Sequence, residues 1–347
     1  MSPGPTGTAA EPTYCSQLHG AAVLQNATGS SGSFPTADLG WILFTPEALR
    51  EAGGVGVCHS LLRRTRDGGR SFAAVQIPAA PFAAVVSDSP SDVWLIGRRS
   101  FASTDGGRSW RAVGLPASVQ RVVLDRGVAI AVAVACTEAT GCRSELLRSV
   151  DGGRSWRRTR LEGATFPELA GHGPLVAIVI DTRLLVSGNA GLTFAAHRSA
   201  CAAGESPLIA IDPRGTFWEV CGGGQSAGYE GKLVFRSNDR GRHWSRTGRW
   251  TLGHTPYPLG AGGIGTLAAP APATLLMTRS AGGLAFSNGG RRWTDTIGDI
   301  SDADPAPGWL SFPTPTRGYA WIFEDHVFTT VDGGRKWRAV PAGALHP

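Results

Sequence analysis

STDGGRSW, at residues 103–110, returns as SVDGGRSW at 149–156 and as TVDGGRKW at 330–337. Looser copies fill the intervals: TRDGGRSF (65–72), SGNAGLTF (187–194), SNDRGRHW (237–244) and FSNGGRRW (286–293). Their third positions, Asp67, Asp105, Asp151, Asn189, Asp239, Asn288 and Asp332, follow one another at intervals of 38, 46, 38, 50, 49 and 44 residues. A repeat of about 44 residues is the length of one four-stranded propeller blade. Seven copies therefore predict an all-β chain that closes into a single ring of seven antiparallel blades.

The residue types explain the motif. Each copy lies between strand-like runs, as 146–148 and 156–160 flank the third, so it is read as the hairpin turn between strands C and D of a blade. The Asp or Asn oxygen accepts N–H groups of the turn, the glycines supply φ > 0, and the Ser or Thr two places earlier closes the loop. The terminal Trp or Phe is expected to bury its ring between neighbouring sheets. In the sixth copy Phe286 is read in the place of the leading hydroxyl, and with Asn189 and Asn288 this predicts weaker turns in two blades.

S/T-x-D-x-G-x-x-W/F resembles the Asp-box, or BNR repeat, of sialidases, two-propeller xyloglucanases, sortilin-type receptors and photosystem II assembly factors. The resemblance spans about residues 30–341 and implies the same propeller fold. The domain reading is a flexible leader at 1–16 followed by the propeller at 17–347, with residues 21–25 a candidate extra strand tying the N-terminus to the last blade.

Composition agrees. The chain has 347 residues and is 42% hydrophobic, enough for a sizeable core, while 48 glycines and 17% charged residues exclude long helical bundles. The formal charge of +6 is spread at regular intervals without a basic cluster, which excludes nucleic acid as a partner. The longest apolar stretches, such as 127–136, fall short of the roughly 20 residues of a membrane span. Six cysteines form local pairs, Cys15 with Cys58, Cys136 with Cys142 and Cys201 with Cys221, none with zinc-ligand spacing. Disulfides, export to a secreted or periplasmic location and an export signal outside this sequence are expected, with no metal and no cofactor.

Box turns and A–B turns share one face of the ring, which makes the repeated Arg70, Arg108, Arg154, Arg242, Arg291 and Arg335 a solvated rim. The opposite face carries the B–C loops, longest at 46–60, 137–144 and 222–231, and the D–A connections. Arg98 or Arg99, Arg183 and Arg279 end or follow B strands there and could together grip a carboxylate or phosphate. Sialidases use three arginines in this way, with a Tyr–Glu pair and an acidic residue, for which Tyr229, Glu230, Tyr257 and Asp302 are the candidates. The Arg-Ile-Pro type motif of that family is absent. GAGGIG (260–265) and GQSAG (224–228, around Ser226) lack the following helix that a dinucleotide site or a nucleophile elbow requires. Asp299, Asp302 and Asp304 lack the ligand count of a calcium loop. The sequence thus points to a monomeric, non-catalytic binder of a protein or glycan through the loop-rich face. The alternative is a sialidase-like glycoside hydrolase or lyase acting in the central mouth.

Overall fold

The computed structural model describes residues 30–45, 59–137, 141–163, 167–226, 229–249, 264–279, 284–297, 308–322 and 327–345. Seven four-stranded sheets, each built from consecutive antiparallel strands, make a seven-bladed β-propeller. The innermost A strands are Ser30–Ser33, Phe82–Ser87, Val119–Asp125, Glu168–His172, Ser206–Ile211, Ile264–Ala271 and Trp309–Ser311. Each touches the next, and the last touches the first. Among the described residues the only helix is the turn Ala342–Leu345. The candidate strand at 21–25, the leader boundary at residue 16 and the Cys15–Cys58 pair lie outside the described residues.

The box turn is a compact hydrogen-bonded unit. In the second box the Ser103 hydroxyl, 1% exposed, donates to Asp105 Oδ1 at 2.7 Å and accepts the Gly107 N–H at 2.8 Å. Asp105 Oδ1 also accepts the N–H groups of Arg108 and Ser109, each at 2.9 Å, and Oδ2 takes the Ser109 hydroxyl at 2.6 Å. Gly106 and Gly107 stand at φ 72° and 83°, left-handed values that glycine adopts freely. Boxes 1 and 3 repeat these bonds around Asp67 and Asp151, and box 7 repeats those to Oδ1 around Asp332, with Lys336 in the place of the second hydroxyl. In box 5, His243 Nδ1 faces Asp239 Oδ2 at 2.6 Å. In box 4 the Asn189 amide reproduces much of the pattern, with Nδ2 donating to Thr193 Oγ1 at 2.9 Å.

Box 6 departs from the sequence reading. Ser287, fully buried, takes the place of the leading hydroxyl, and Phe286 precedes it in the strand. Only six positions then separate Ser287 from Trp293, against seven between Ser103 and Trp110, so the residue that would supply the carboxyl is missing. Asn288 is paired in the ladder with Arg292 and does not cap the turn, while the Ser287 hydroxyl bonds the Arg292 carbonyl.

Each box also fastens its blade to the one before. The fifth-position glycine lies against the preceding blade: a Cβ on Gly153 would lie 2.7 Å from Trp94 of blade 2, and one on Gly334 would lie 2.2 Å from Leu276 of blade 6. The box tryptophans are half-buried, except the buried Trp293, and two reach back with their indole N–H. Trp110 donates to the Gln76 carbonyl at 2.9 Å and Trp244 to the Arg198 carbonyl at 3.1 Å. The fourth-position N–H bonds the A–B turn of its own blade, as in Gly106 to Ser91 and Gly333 to Thr316, which puts both turns on one face.

Among the described residues the ring closes between blades 1 and 7 without a shared sheet. Blades 1 and 7 are each contiguous in sequence and meet through packing. The Phe34 ring stacks on Tyr319 with centroids 3.7 Å apart, the Tyr319 hydroxyl donates to the Ala37 carbonyl at 2.6 Å, and Phe34 N–H donates to Ser311 Oγ at 3.0 Å. The terminal helical turn seals this joint by inserting Leu345 into the same cluster and accepting the Phe72 N–H on the Ala344 carbonyl.

Three outcomes are expected. Ser103→Ala strands the buried Gly107 N–H and lowers unfolding free energy by about 1–3 kcal/mol in a urea titration. Gly334→Ala, at φ 89° and against Leu276, is more damaging than Gly289→Ala, which has nothing within 4 Å of its Cβ position. Acid weakens the turns. For Asp67 burial pulls upward, but the Ser71 hydroxyl and the N–H groups of Ser71 and Arg70, with Thr65, hold the carboxyl down at about 2. Asp105 and Asp151 are held low chiefly by the hydroxyls of Ser109 and Ser155, and Asp239 by the His243 N–H. Because these native pKa values lie below the unfolded value, their stabilisation is complete above about pH 4 and is lost as pH falls toward about 2. Thermal midpoints measured from pH 6 to pH 2 should fall steeply only below about pH 4.

Candidate functional site

The loop-rich face is built from extended hairpins. Sequence reading expects long B–C loops at 137–144 and 222–231; the structure instead extends the flanking strands into two-stranded ribbons. In blade 3, strand B (Val128–Thr137) and strand C (Gly141–Ser149) stay paired out to Thr137 and Gly141. Their neighbours stop earlier, strand A at Ala133 and strand D at Ser144. In blade 5, Phe217–Ser226 and Tyr229–Ser237 pair out to Ser226 and Tyr229, beyond the last A-strand partner at Gly222 and D-strand partner at Leu233. Blade 4 between them has a short turn at Asp181, where φ is 52°. Two ribbons therefore rise on either side of a low blade.

Disulfides brace both. Cys136–Cys142 crosses the blade 3 ribbon near its tip, and Cys201–Cys221 ties the connection from blade 4 to strand B of blade 5. Beneath the second lies Glu219, fully buried. Burial raises its pKa, and the Ser199 hydroxyl with the N–H groups of Ala200 and Cys201 supplies the opposing stabilisation of the carboxylate. Ser199 and Ala200 bond its two oxygens, Ala200 at 2.9 Å. Although Glu219 sits beside two sulfurs, both are consumed in the disulfide, so this trio offers no metal ligand set.

The arginines expected to grip an anion stand at the loop-face ends of blades 2, 4 and 6. Arg99 lies over the Phe101 ring at 5.9 Å, and Arg183 pairs with Glu162 at 2.7 Å on the exposed blade 4 turn. Arg279 ends strand B of blade 6, while Tyr229 and Glu230 open strand C of blade 5. Tyr257 and Asp302 lie outside the described residues. Sequence reasoning passed over Glu168, the first residue of the A strand of blade 4, at its loop-face end. Glu168 is raised mainly by burial and held by Arg121 of blade 3 at 3.2 Å. Only the ring brings this pair together, across 47 residues. Ser226 ends a strand that is followed by another strand, which fits neither hydrolase elbow nor helix entry.

YCF48 bound to D1 peptide superposes with a TM-score of 0.60 at 19% identity, over 88% of this chain and 92% of that one. YCF48 from Cyanidioschyzon merolae gives 0.56 at 15% identity, over 88% and 96%. The chain has the fold of these propellers. An ancestral GH74 enzyme also superposes, with a TM-score of 0.56 at 15% identity, over 89% of this propeller but 44% of the enzyme. The sequence matches no protein-family model and no curated protein. At such identities the likeness is one of fold.

Replacing Cys201 and Cys221 by serine should lower stability by about 3 kcal/mol, since the bridge closes 20 residues, and the Cys136–Cys142 pair, closing 6, by about 2 kcal/mol. Chemical denaturation of the two double variants checks the order.

Proposed function

We propose that the protein is an exported, non-catalytic propeller that binds a protein or glycan partner on its loop-rich face. The observation that carries this reading is the pair of disulfide-braced ribbons flanking blade 4. Beyond its D-strand neighbour the outer edge of Gly141–Arg143 presents backbone N–H and C=O groups to an incoming extended chain, and a rigid edge costs little ordering on binding. The two disulfides favour an oxidising compartment, periplasmic or extracellular. The fold likeness to YCF48, whose solved structure holds D1 peptide, fits a peptide ligand.

The alternative, glycoside hydrolysis, draws on the fold likeness to the GH74 enzyme. It requires two carboxyl groups about 5–10 Å apart around the scissile bond. Glu168 is engaged by Arg121 and Glu162 by Arg183, which favours binding over chemistry.

The test is a paired measurement on wild-type protein. Aryl glycosides, sialosides and xyloglucan oligosaccharides are assayed for turnover, and the same glycans and an extended-peptide library for binding. Saturable binding without turnover is expected, with the ligand lost when residues 136–142 are replaced by a two-residue turn. Turnover abolished by Glu168→Gln would establish the enzyme instead.

A further inference from the structure

At four of the seven joints an arginine of the preceding blade donates to the fourth-position carbonyl of the next box. Arg317 bonds Gly68 at 3.3 Å, Arg64 bonds Gly106 at 2.8 Å, Arg111 bonds Gly152, and Arg148 bonds Ala190 at 2.8 Å. Arg64 and Arg148 stand directly before the leading Thr65 and Ser149 of their boxes, and Arg236 holds the same place before Ser237. The joint from blade 5 to blade 6 nevertheless differs. Box 6 lacks one residue, and its Gly290 is drawn onto blade 5, where a Cβ would lie 2.7 Å from Thr247 Oγ1. Arg236 bonds Asn238 Oδ1 at 3.0 Å and lies over the Trp218 ring at 5.5 Å.

The arginine that fastens other joints is thereby turned toward a cavity of about 390 Å³ between the two blades. Arg246, Arg291, His243 and Ser245 line it as well. Arg246 and Arg291 are exposed and, among the described residues, make no ion pair. The one carboxylate on the wall, Asp239, is engaged by its own turn, accepting Ser237 and the His243 N–H on Oδ1 and facing His243 Nδ1 with Oδ2. Three arginines thus line a cleft with one committed negative charge.

We propose that this cleft is a binding site for a tetrahedral oxyanion, phosphate or sulfate, either free or as a sugar ester. Guanidinium forks match such oxygens in pairs, and Ser245 supplies a further hydroxyl donor. The site lies on the box face, opposite the ribbons, and does not depend on what the loop-rich face binds.

Calorimetric titration with inorganic phosphate, inorganic sulfate and N-acetylglucosamine 6-sulfate, at constant ionic strength and against a chloride blank, tests it. Saturable binding is expected, weakened about tenfold or more in Arg246→Gln/Arg291→Gln. Arg154→Gln, on the rim of blade 3, should leave affinity within about twofold. Inorganic ions binding as well as the ester identify the free ion as ligand, and an ester about tenfold tighter identifies the sugar-borne group. No saturation beyond chloride, unchanged affinity in the double variant, or equal weakening by Arg154→Gln overturns the site. Should the double variant fold poorly, a selenate soak of wild-type crystals decides: an anomalous peak between Arg236, Arg246 and Arg291 is expected, and its absence there refutes the proposal.

Discussion

The buried hydroxyl at the head of each box is the interaction on which the ring depends. Ser103, Ser149, Ser187, Ser237, Thr65 and Thr330 each sit at the end of a C strand with 2% exposure or less. Each accepts the N–H of the fifth-position residue while donating to the third. That pair of bonds forces the chain through two consecutive left-handed positions, and the second brings bare backbone against the core of the preceding blade. A local turn is thereby made into a joint between sheets. The arrangement tolerates Ala190 at φ 52° and Arg240 at φ 61° in the fourth position, where the side chain points outward, but the fifth is glycine in every box.

The two faces of the ring are stabilised by different means. On the box face, charged and hydroxyl side chains fold back on their own backbone, and the rim arginines Arg70, Arg108, Arg154, Arg242, Arg291 and Arg335 remain exposed. On the other face, among the described residues, disulfides brace the hairpins of blades 3 and 5. This division leaves that second face free to vary in sequence without loosening the ring, which is where recognition belongs in such a scaffold. The closing joint stands apart again, resting among the described residues on a cluster of rings, Phe34, Tyr319, Trp309 and Trp321.

Most of the fold was legible because the box is both local and periodic. Its chemistry lies within eight residues, so spacing alone counts the blades, and strands such as Phe82–Ser87 and Val93–Gly97 follow from the apolar runs beside it. Box 6 shows where such reading misleads: Asn288 aligns by eye with the aspartates, yet Ser287 is drawn into the buried place because the strand register sets which hydroxyl points inward. The ribbons were hidden for a related reason. CGGGQS in 221–226 is glycine-rich and reads as a loop, but pairing with the opposite strand, which sequence does not display, holds it extended.

By itself the sequence determined the number of blades, the face that carries the boxes and the pairing of Cys136 with Cys142 and of Cys201 with Cys221, since each depends on residues near one another in the chain. The tertiary structure alone decided which groups meet across it. Glu168 finds Arg121 in the preceding blade, Phe34 finds Tyr319 at the far end of the chain, and Arg236 is left without the carbonyl that Arg64 and Arg148 possess. The physical reason is that a closed ring fixes distances between residues tens to hundreds apart, and no periodicity in the sequence encodes those distances.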